Sequence, residues 1–290
     1  MGAAAKCWVE AMRLRTLPVS VAGVLTAIGL AVGNGCFELL PALLCLVFAV
    51  LCQIASNFAN EYYDYRAGRD RRGRSGPRRG VTEGDITPES MKRATFATLG
   101  LAAVVGLCLT IWGGAWLIFV GLAIGLGALA YSTGPYPLST HCLGEVAVVF
   151  FFGIVPVNFT YYLMSLQWSW QVFAASMSMG LMGANVLITN NYRDIPDDKA
   201  VGKHTLATCL GAGVMLWIYE VSALLAGIFL YIACCGKAMG VAVAVYVAAS
   251  VGVARIMGIR TGSGLTPTLG MTSVLMFLMS LVVLLDGVAR

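Results

Sequence analysis

The feature that most limits what this chain can fold into is a run of about 20 apolar residues that recurs along its whole length. Such a run crosses roughly 30 Å of hydrocarbon as a helix. Runs of this kind occupy 17–33, 39–58, 94–111, 115–131, 143–163, 171–190, 210–233, 238–254 and 268–288. In lipid, backbone polar groups must be satisfied within their own segment, so each run is expected to be helical. Of the 290 residues, 59% are hydrophobic and only 11% charged, against roughly 25% charged in soluble domains. The expectation is an all-α polytopic membrane protein, with about nine transmembrane helices in one bundle and residues 1–290 as a single domain. No cleavable leader is expected, because Lys6, Arg13 and Arg15 surround an amphipathic segment with no clear small-residue cleavage site.

Charge is distributed by side. All of the 19 Lys and Arg except Lys237 and Arg290 fall in the N-terminus, 59–93, 191–209 and 255–267. The loops on the opposite side, such as 34–38, 112–114 and 165–170, are short. The positive-inside rule then places the basic side in the cytoplasm, as for a multi-pass protein of the cell inner (plasma) membrane. The net charge of +5 is modest, and no nucleic-acid partner is expected. The nine cysteines are scattered, mostly inside apolar runs (Cys45, Cys52, Cys108, Cys234), with no CxxC pair. They read as small buried apolar residues rather than as a zinc or disulfide framework. Gly121 with Gly125, and Gly180 with Gly183, read as close helix contacts. Trp112, Trp116, Trp168 and Trp170 read as an interfacial aromatic belt.

Two polar stretches interrupt this pattern. Asn57, Asn60, Glu61 and Asp64 end the second run at i, i+3, i+4, i+7, which puts them on one helix face. Asn191, Asp194 and Asp198 end the sixth run at i, i+3, i+7. The stretches align at an offset of 130 residues, Asn60 with Asn190, Tyr62 with Tyr192 and Asp64 with Asp194, which points to two pseudo-repeated halves. A polar stripe at a membrane face is costly unless something binds there. Carboxylates without histidine or cysteine suit Mg²⁺, which favours one or two carboxylates together with phosphate oxygens. Asp64, Asp70, Asp194 and Asp198 are the candidate metal ligands, with Glu61 beside them. Asn57, Asn60, Asn190 and Asn191 add neutral ligands or hydrogen bonds. Arg74, Arg79, Arg193 and Lys203 lie next to the acids, and guanidinium forks match phosphate geometry. Acids, Mg²⁺ and cations together read as a diphosphate site. With an apolar body in the bundle, the ligand is a lipid diphosphate such as a polyprenyl diphosphate. The plainer readings are a topology signal or lipid-headgroup patch for the arginines, and helix capping for the aspartates.

These residues resemble the UbiA-type superfamily of intramembrane aromatic prenyltransferases. The likeness is strongest to the branch that prenylates 1,4-dihydroxy-2-naphthoate in menaquinone biosynthesis, and it runs along most of the chain. Arg13-Leu-Arg15-Thr-Leu-Pro18 is similar to the family's opening motif, with Leu14 where proline is common. Asn57 through Asp64 with Asp70 is similar to the first aspartate-rich motif, with Glu61 where aspartate is usual. Arg74-Ser-Gly-Pro77-Arg-Arg79 resembles the segment that follows it. Tyr131 through Pro137 and Leu143-Gly-Glu145 resemble the central loop, with Thr140 replacing a common tyrosine. Asn190-Asn191-Tyr-Arg193-Asp194 through Asp198, then Gly202-Lys203-His-Thr205-Leu206, resembles the second motif in the form that marks this branch. The resemblance implies catalytic roles for Asp64, Asp194, Asp198 and Lys203. It implies a diphosphate held by Mg²⁺ and cations, ionisation of the allylic C–O bond, and attack by the naphthoate ring with loss of a proton and CO₂. The product is demethylmenaquinone. The arginine-rich segment 71–90 is expected to act as a lid that orders on diphosphate. Other acceptors (4-hydroxybenzoate, homogentisate, a glycerol phosphate) remain alternatives within the family. A transporter is the alternative outside it, although its acids would sit near the bilayer midplane.

Overall fold

The computed structural model describes residues 3–73, 76–234 and 236–290. Arg74 therefore lies outside the described residues. The helices, in chain order, are α1 Ala3–Met12, α2 Leu17–Gly33, α3 Leu39–Arg66, α4 Gly80–Glu83, α5 Pro88–Gly113, α6 Leu117–Ala130, α7 Gly144–Val148, α8 Val155–Ser165, α9 Trp170–Ala200, α10 Leu206–Leu210, α11 Ala212–Cys234, α12 Lys237–Ile259 and α13 Thr266–Ala289. A π-helical turn, Val149–Ile154, joins α7 to α8 as one span. Among the described residues, eight helical segments are long and apolar enough to cross a membrane, and α6 is a shorter apolar helix. Together they account for the nine expected runs.

The helices that carry the motifs outlast their apolar runs. α3 continues to Arg66 and α9 to Ala200, 28 and 31 residues long, so both motifs stay helical beyond the hydrocarbon-length segment. Their spacing therefore delivers one polar face each. Local chemistry sets the other ends. Pro88 opens α5 while Thr87 accepts the Ser90 N–H. Thr205 and Thr208 form a reciprocal capping box on α10.

Close backbone approach fixes the bundle at two points. Gly287 of α13 lies against the Gly29 backbone of α2, and Gly153 lies against Gly180 of α9. Neither glycine could take a Cβ without the helices separating. A Cβ on Gly180 would lie 2.7 Å from the Val149 carbonyl oxygen, as expected for a packing glycine. Gly121 and Gly125 differ from expectation: a Cβ on either would meet nothing within 4 Å. Gly121 instead lines a cavity. On the side away from the motifs, Trp116 packs edge-on against Tyr162, which stacks on Trp168 at 4.8 Å between ring centroids.

Candidate functional site

A cavity of about 290 Å³ runs between α2, α3, α5, α6, α8 and α9. Along α3 its lining extends from Cys45 to Asn60, a rise of about 20 Å at 1.5 Å per residue. Its far end is lined by Leu109, Leu117 and Leu163, all buried. The middle is walled by aromatic and aliphatic side chains such as Phe48, Phe151 and Phe159. The near end holds Arg13, Asn57, Asn60, Arg79, Asn190, Asn191, Asp194 and Lys203. Residues from both motifs thus face one space that is polar at one end and apolar along its length.

Asn60 organises the first motif. Its Oδ1 accepts from Arg13 Nη2 at 2.8 Å and from Arg79 Nη2 at 3.0 Å. Its amide donates to Asp64 Oδ2 at 3.0 Å and to Ser132 Oγ at 3.1 Å. Four segments of the chain therefore meet on one side chain. Asp64 also faces Arg69 at 3.5 Å, and Asp70 faces Arg79 Nε at 3.5 Å. Arg79 and Asp64 are both buried, and guanidinium and carboxylate are removed from water together, as burial of either requires. Asn57 looks the other way along the face. Its amide donates to the Met12 carbonyl at 2.9 Å and fixes the entry of the chain into α2.

The second motif is built locally. Arg193 clamps its neighbour Asp194 with two bonds, Nε to Oδ1 at 2.7 Å and Nη2 to Oδ2 at 2.9 Å, and reaches Asn190 Oδ1 at 2.8 Å. Arg193 is only 2% exposed. Asn191 donates to Glu145 Oε1 at 2.9 Å, tying α9 to the buried start of α7. Lys203 stands 3.7 Å from Asp198.

Asp64, Asp70 and Asp198 also line a second, small cavity with Arg69, Arg71, Asp197 and Lys203. Lys203 is on the wall of both cavities. At about 10 Å³, the small one has room for about one water molecule. The donors that face it are hard oxygens without imidazole or thiolate, the set that suits Mg²⁺. The structure nevertheless divides the expected metal set. Among the described residues no three Asp, Glu, His or Cys side chains converge closely enough to hold an ion. Asp64, Asp70 and Asp198 share the small cavity, whereas Asp194 lies in the fork of Arg193. Glu61 is buried against the following loop, where its Oε1 accepts the Val81 N–H at 3.0 Å at the start of α4. In this arrangement arginines and lysine balance the acids, and an entering ion with its waters would have to displace them.

Four participants escaped the sequence reading as site residues: Arg13, Arg69, Asp197 and Ser132. Arg13 adopts a left-handed backbone (φ 53°, ψ 58°), rare for a residue with a Cβ, and this turn precedes α2 where its guanidinium reaches Asn60. Only its place in the opening motif hinted at it. Asp197 pairs with Arg71 at 2.8 Å across the two motifs. Near the mouth of the site, Cys142 Sγ lies 3.1 Å from Cys209 Sγ. Burial, then the bond to Cys209, pushes the Cys142 thiol up to about 11, which favours its protonated form.

The two motif helices of this apolar helical bundle thus present acids, amides and arginines to one amphipathic cavity. The chain belongs to the UbiA prenyltransferase family, whose profile matches residues 21–284. It is 38% identical over 213 residues to the 1,4-dihydroxy-2-naphthoate octaprenyltransferase of Escherichia coli (strain K12), covering 71% of this chain and 69% of that one. It is 37% identical over 225 residues to the 1,4-dihydroxy-2-naphthoate octaprenyltransferase of Mycobacterium tuberculosis (strain ATCC 25618 / H37Rv), covering 78% and 77%. In fold it is similar to a UbiA homolog from Archaeoglobus fulgidus bound to DMAPP and Mg²⁺, with a TM-score of 0.64 at 16% identity over 96% of this chain and 98% of that one.

Proposed function

We propose that the chain transfers a polyprenyl group from polyprenyl diphosphate to 1,4-dihydroxy-2-naphthoate, releasing diphosphate and CO₂ and giving demethylmenaquinol, the reduced form of demethylmenaquinone. The observation that carries this reading is the single cavity in which residues of both motifs stand at the polar end of an apolar shaft. The prenyl chain occupies the shaft between Phe48, Phe151 and Leu117, and the diphosphate meets Arg79, Lys203 and Arg13. The names of relatives at 37–38% identity supply the acceptor.

Asp64, Asp70 and Asp198, joined by Asp194 once Arg193 releases it, would hold Mg²⁺. When bound, the metal supplies positive charge for the departing diphosphate. Arg79 and Lys203 add charge-assisted hydrogen bonds to the same group, worth most where negative charge grows as the C–O bond breaks. The electrons of that bond leave with the diphosphate, and the naphthoate ring carbon supplies the pair that forms the new C–C bond. The apolar walls exclude water, which would otherwise capture the allylic cation. Asn60, Asn190 and Asn191 orient the charged groups. Glu61 holds the segment after Arg79 in place through Val81. We also place the motif face in the cytoplasm, on the side that carries nearly all the Lys and Arg.

The test is to incubate the purified protein in vesicles with dihydroxynaphthoate, a prenyl diphosphate and Mg²⁺, and to identify products by mass spectrometry. A prenylated naphthoquinol that lacks the carboxyl carbon, read as its quinone after air oxidation during work-up, lost with EDTA and regained with Mg²⁺, is expected. Prenylation of 4-hydroxybenzoate, homogentisate or a glycerol phosphate in its place would transfer the site to another acceptor.

A further inference from the structure

Two opposite charges sit on the lipid-facing surface of α11 and α12, away from the cavity. Glu220 and Arg255 are both exposed, and among the described residues neither takes part in an ion pair or side-chain hydrogen bond. Both lie inside segments apolar enough to span a membrane. Glu220 is eight residues into α11, about 12 Å from its end, and Arg255 about 6 Å from the end of α12. Charges within such segments normally face the bundle interior or a partner. These two do neither within one chain.

They are at one depth. α11 and α12 run antiparallel: a Cβ on Gly227 would meet Val243 and Val247, and one on Gly258 would meet Leu216. With Leu216 opposite Gly258, Glu220 lies one turn further in, opposite Ala254 and Arg255. The patch is therefore acidic on its α11 side and basic on its α12 side. Such a patch is complementary to itself across a two-fold axis along the membrane normal, which sets each acidic side against the other copy's basic side. The surface beside Arg255 permits close approach. Ala244, Ala248 and Gly252 are exposed on the outer face of α12, and a Cβ on Gly252 would meet nothing within 4 Å. Trp217 and Ile259, 63% and 80% exposed, flank the charges one turn beyond Glu220 and Arg255 and supply apolar surface around them.

We propose that this face is the docking surface for a second copy of the chain, with Glu220 of each copy paired to Arg255 of the other. Two full-length copies with different tags are placed together in vesicles at low protein-to-lipid ratio, and capture of one tag is scored for the other. Wild-type copies are expected to co-capture. Glu220→Arg alone, or Arg255→Glu alone, sets like charges against each other and is expected to lower co-capture at least tenfold. A Glu220→Arg copy mixed with an Arg255→Glu copy rebuilds both pairs and is expected to restore it. Pairing within one chain predicts no such recovery on mixing, and that result, or wild-type copies that never co-capture, overturns the proposal. Both variants lie outside the cavity and are expected to keep prenyl-transfer activity, which shows that they fold. Should a reversal fail to fold, Glu220→Gln and Arg255→Gln replace it. Each is expected to lower co-capture severalfold, and unchanged co-capture overturns the proposal equally.

Discussion

The two motifs occupy matching positions in the sequence but are built in different ways. At the end of α3, Asn60 gathers Arg13, Arg79 and Ser132 from three distant segments, and Asp64 accepts the Asn60 amide and meets a cation only through a long contact to Arg69. At the end of α9, Arg193, Asp194 and Asn190 satisfy one another within a single turn. The first motif is held together by distant segments; the centre of the second is satisfied largely within its own helix, with Asn191 and Asp197 tied outward to Glu145 and Arg71. One half therefore presents a carboxylate with little direct neutralisation, and the other presents one already held by a guanidinium. Positions that match in sequence need not have equal electrostatic duties.

The largest expected effect comes from removing either carboxylate charge. Asp64→Asn and Asp194→Asn are each expected to cut kcat by about a hundredfold or more, in line with the loss of one preorganised electrostatic contact at a transition state. Near-normal turnover in folded Asp194→Asn would mean that Arg193 holds this residue permanently and that the first motif acts alone.

Arg193→Gln sharpens the same contrast. It removes the guanidinium fork from buried Asp194, at a cost of up to about 3–5 kcal/mol, seen as a lower midpoint of thermal unfolding. Because Mg²⁺ would take the place of the guanidinium, added Mg²⁺ is expected to restore part of that loss. Arg69→Gln, whose partner Asp64 is contacted at 3.5 Å, is expected to lower the midpoint much less.

Arg79→Ala and Lys203→Ala are expected to raise the KM for prenyl diphosphate about ten- to a hundredfold, the equivalent of one charge-assisted contact at roughly 1.5–3 kcal/mol. The naphthoate KM should change less. A rise confined to the naphthoate would assign these cations to the acceptor carboxylate.

The smallest effect is expected at Glu61→Asp. The charge remains, but the shorter side chain loses reach to the Val81 N–H, a bond worth about 1 kcal/mol. Activity within severalfold of wild type fits a structural support for the loop. A loss as deep as that of Asp64→Asn would return Glu61 to the metal site.

Much of this fold was legible because hydrocarbon imposes one rule on every segment. The apolar runs became helices, and the motif spacings became helix faces, since both follow from local periodicity. Glu61 shows where legibility stops. Its spacing puts it on the acidic face, but tertiary contact with the segment after Arg79 decides what its oxygens touch. Arg13 is the complementary case. A left-handed arginine that folds back 47 residues along the sequence to Asn60 has no local signature. Gly121 was read by motif as a helix contact and instead leaves space in the cavity wall, because small residues serve close packing and open volume alike. Which cations neutralise which acids likewise depends on folded distances.

The central claim is that the two motifs form one diphosphate site. The most direct measurement is a double-mutant cycle on Asp64→Asn and Asp194→Asn, with kcat/KM for prenyl diphosphate determined for wild type, both single variants and the double. Groups that serve one site are non-additive, so the double variant is expected to be no worse than the more damaged single one, within about threefold. Fully multiplicative losses, each motif contributing independently of the other, would contradict the account.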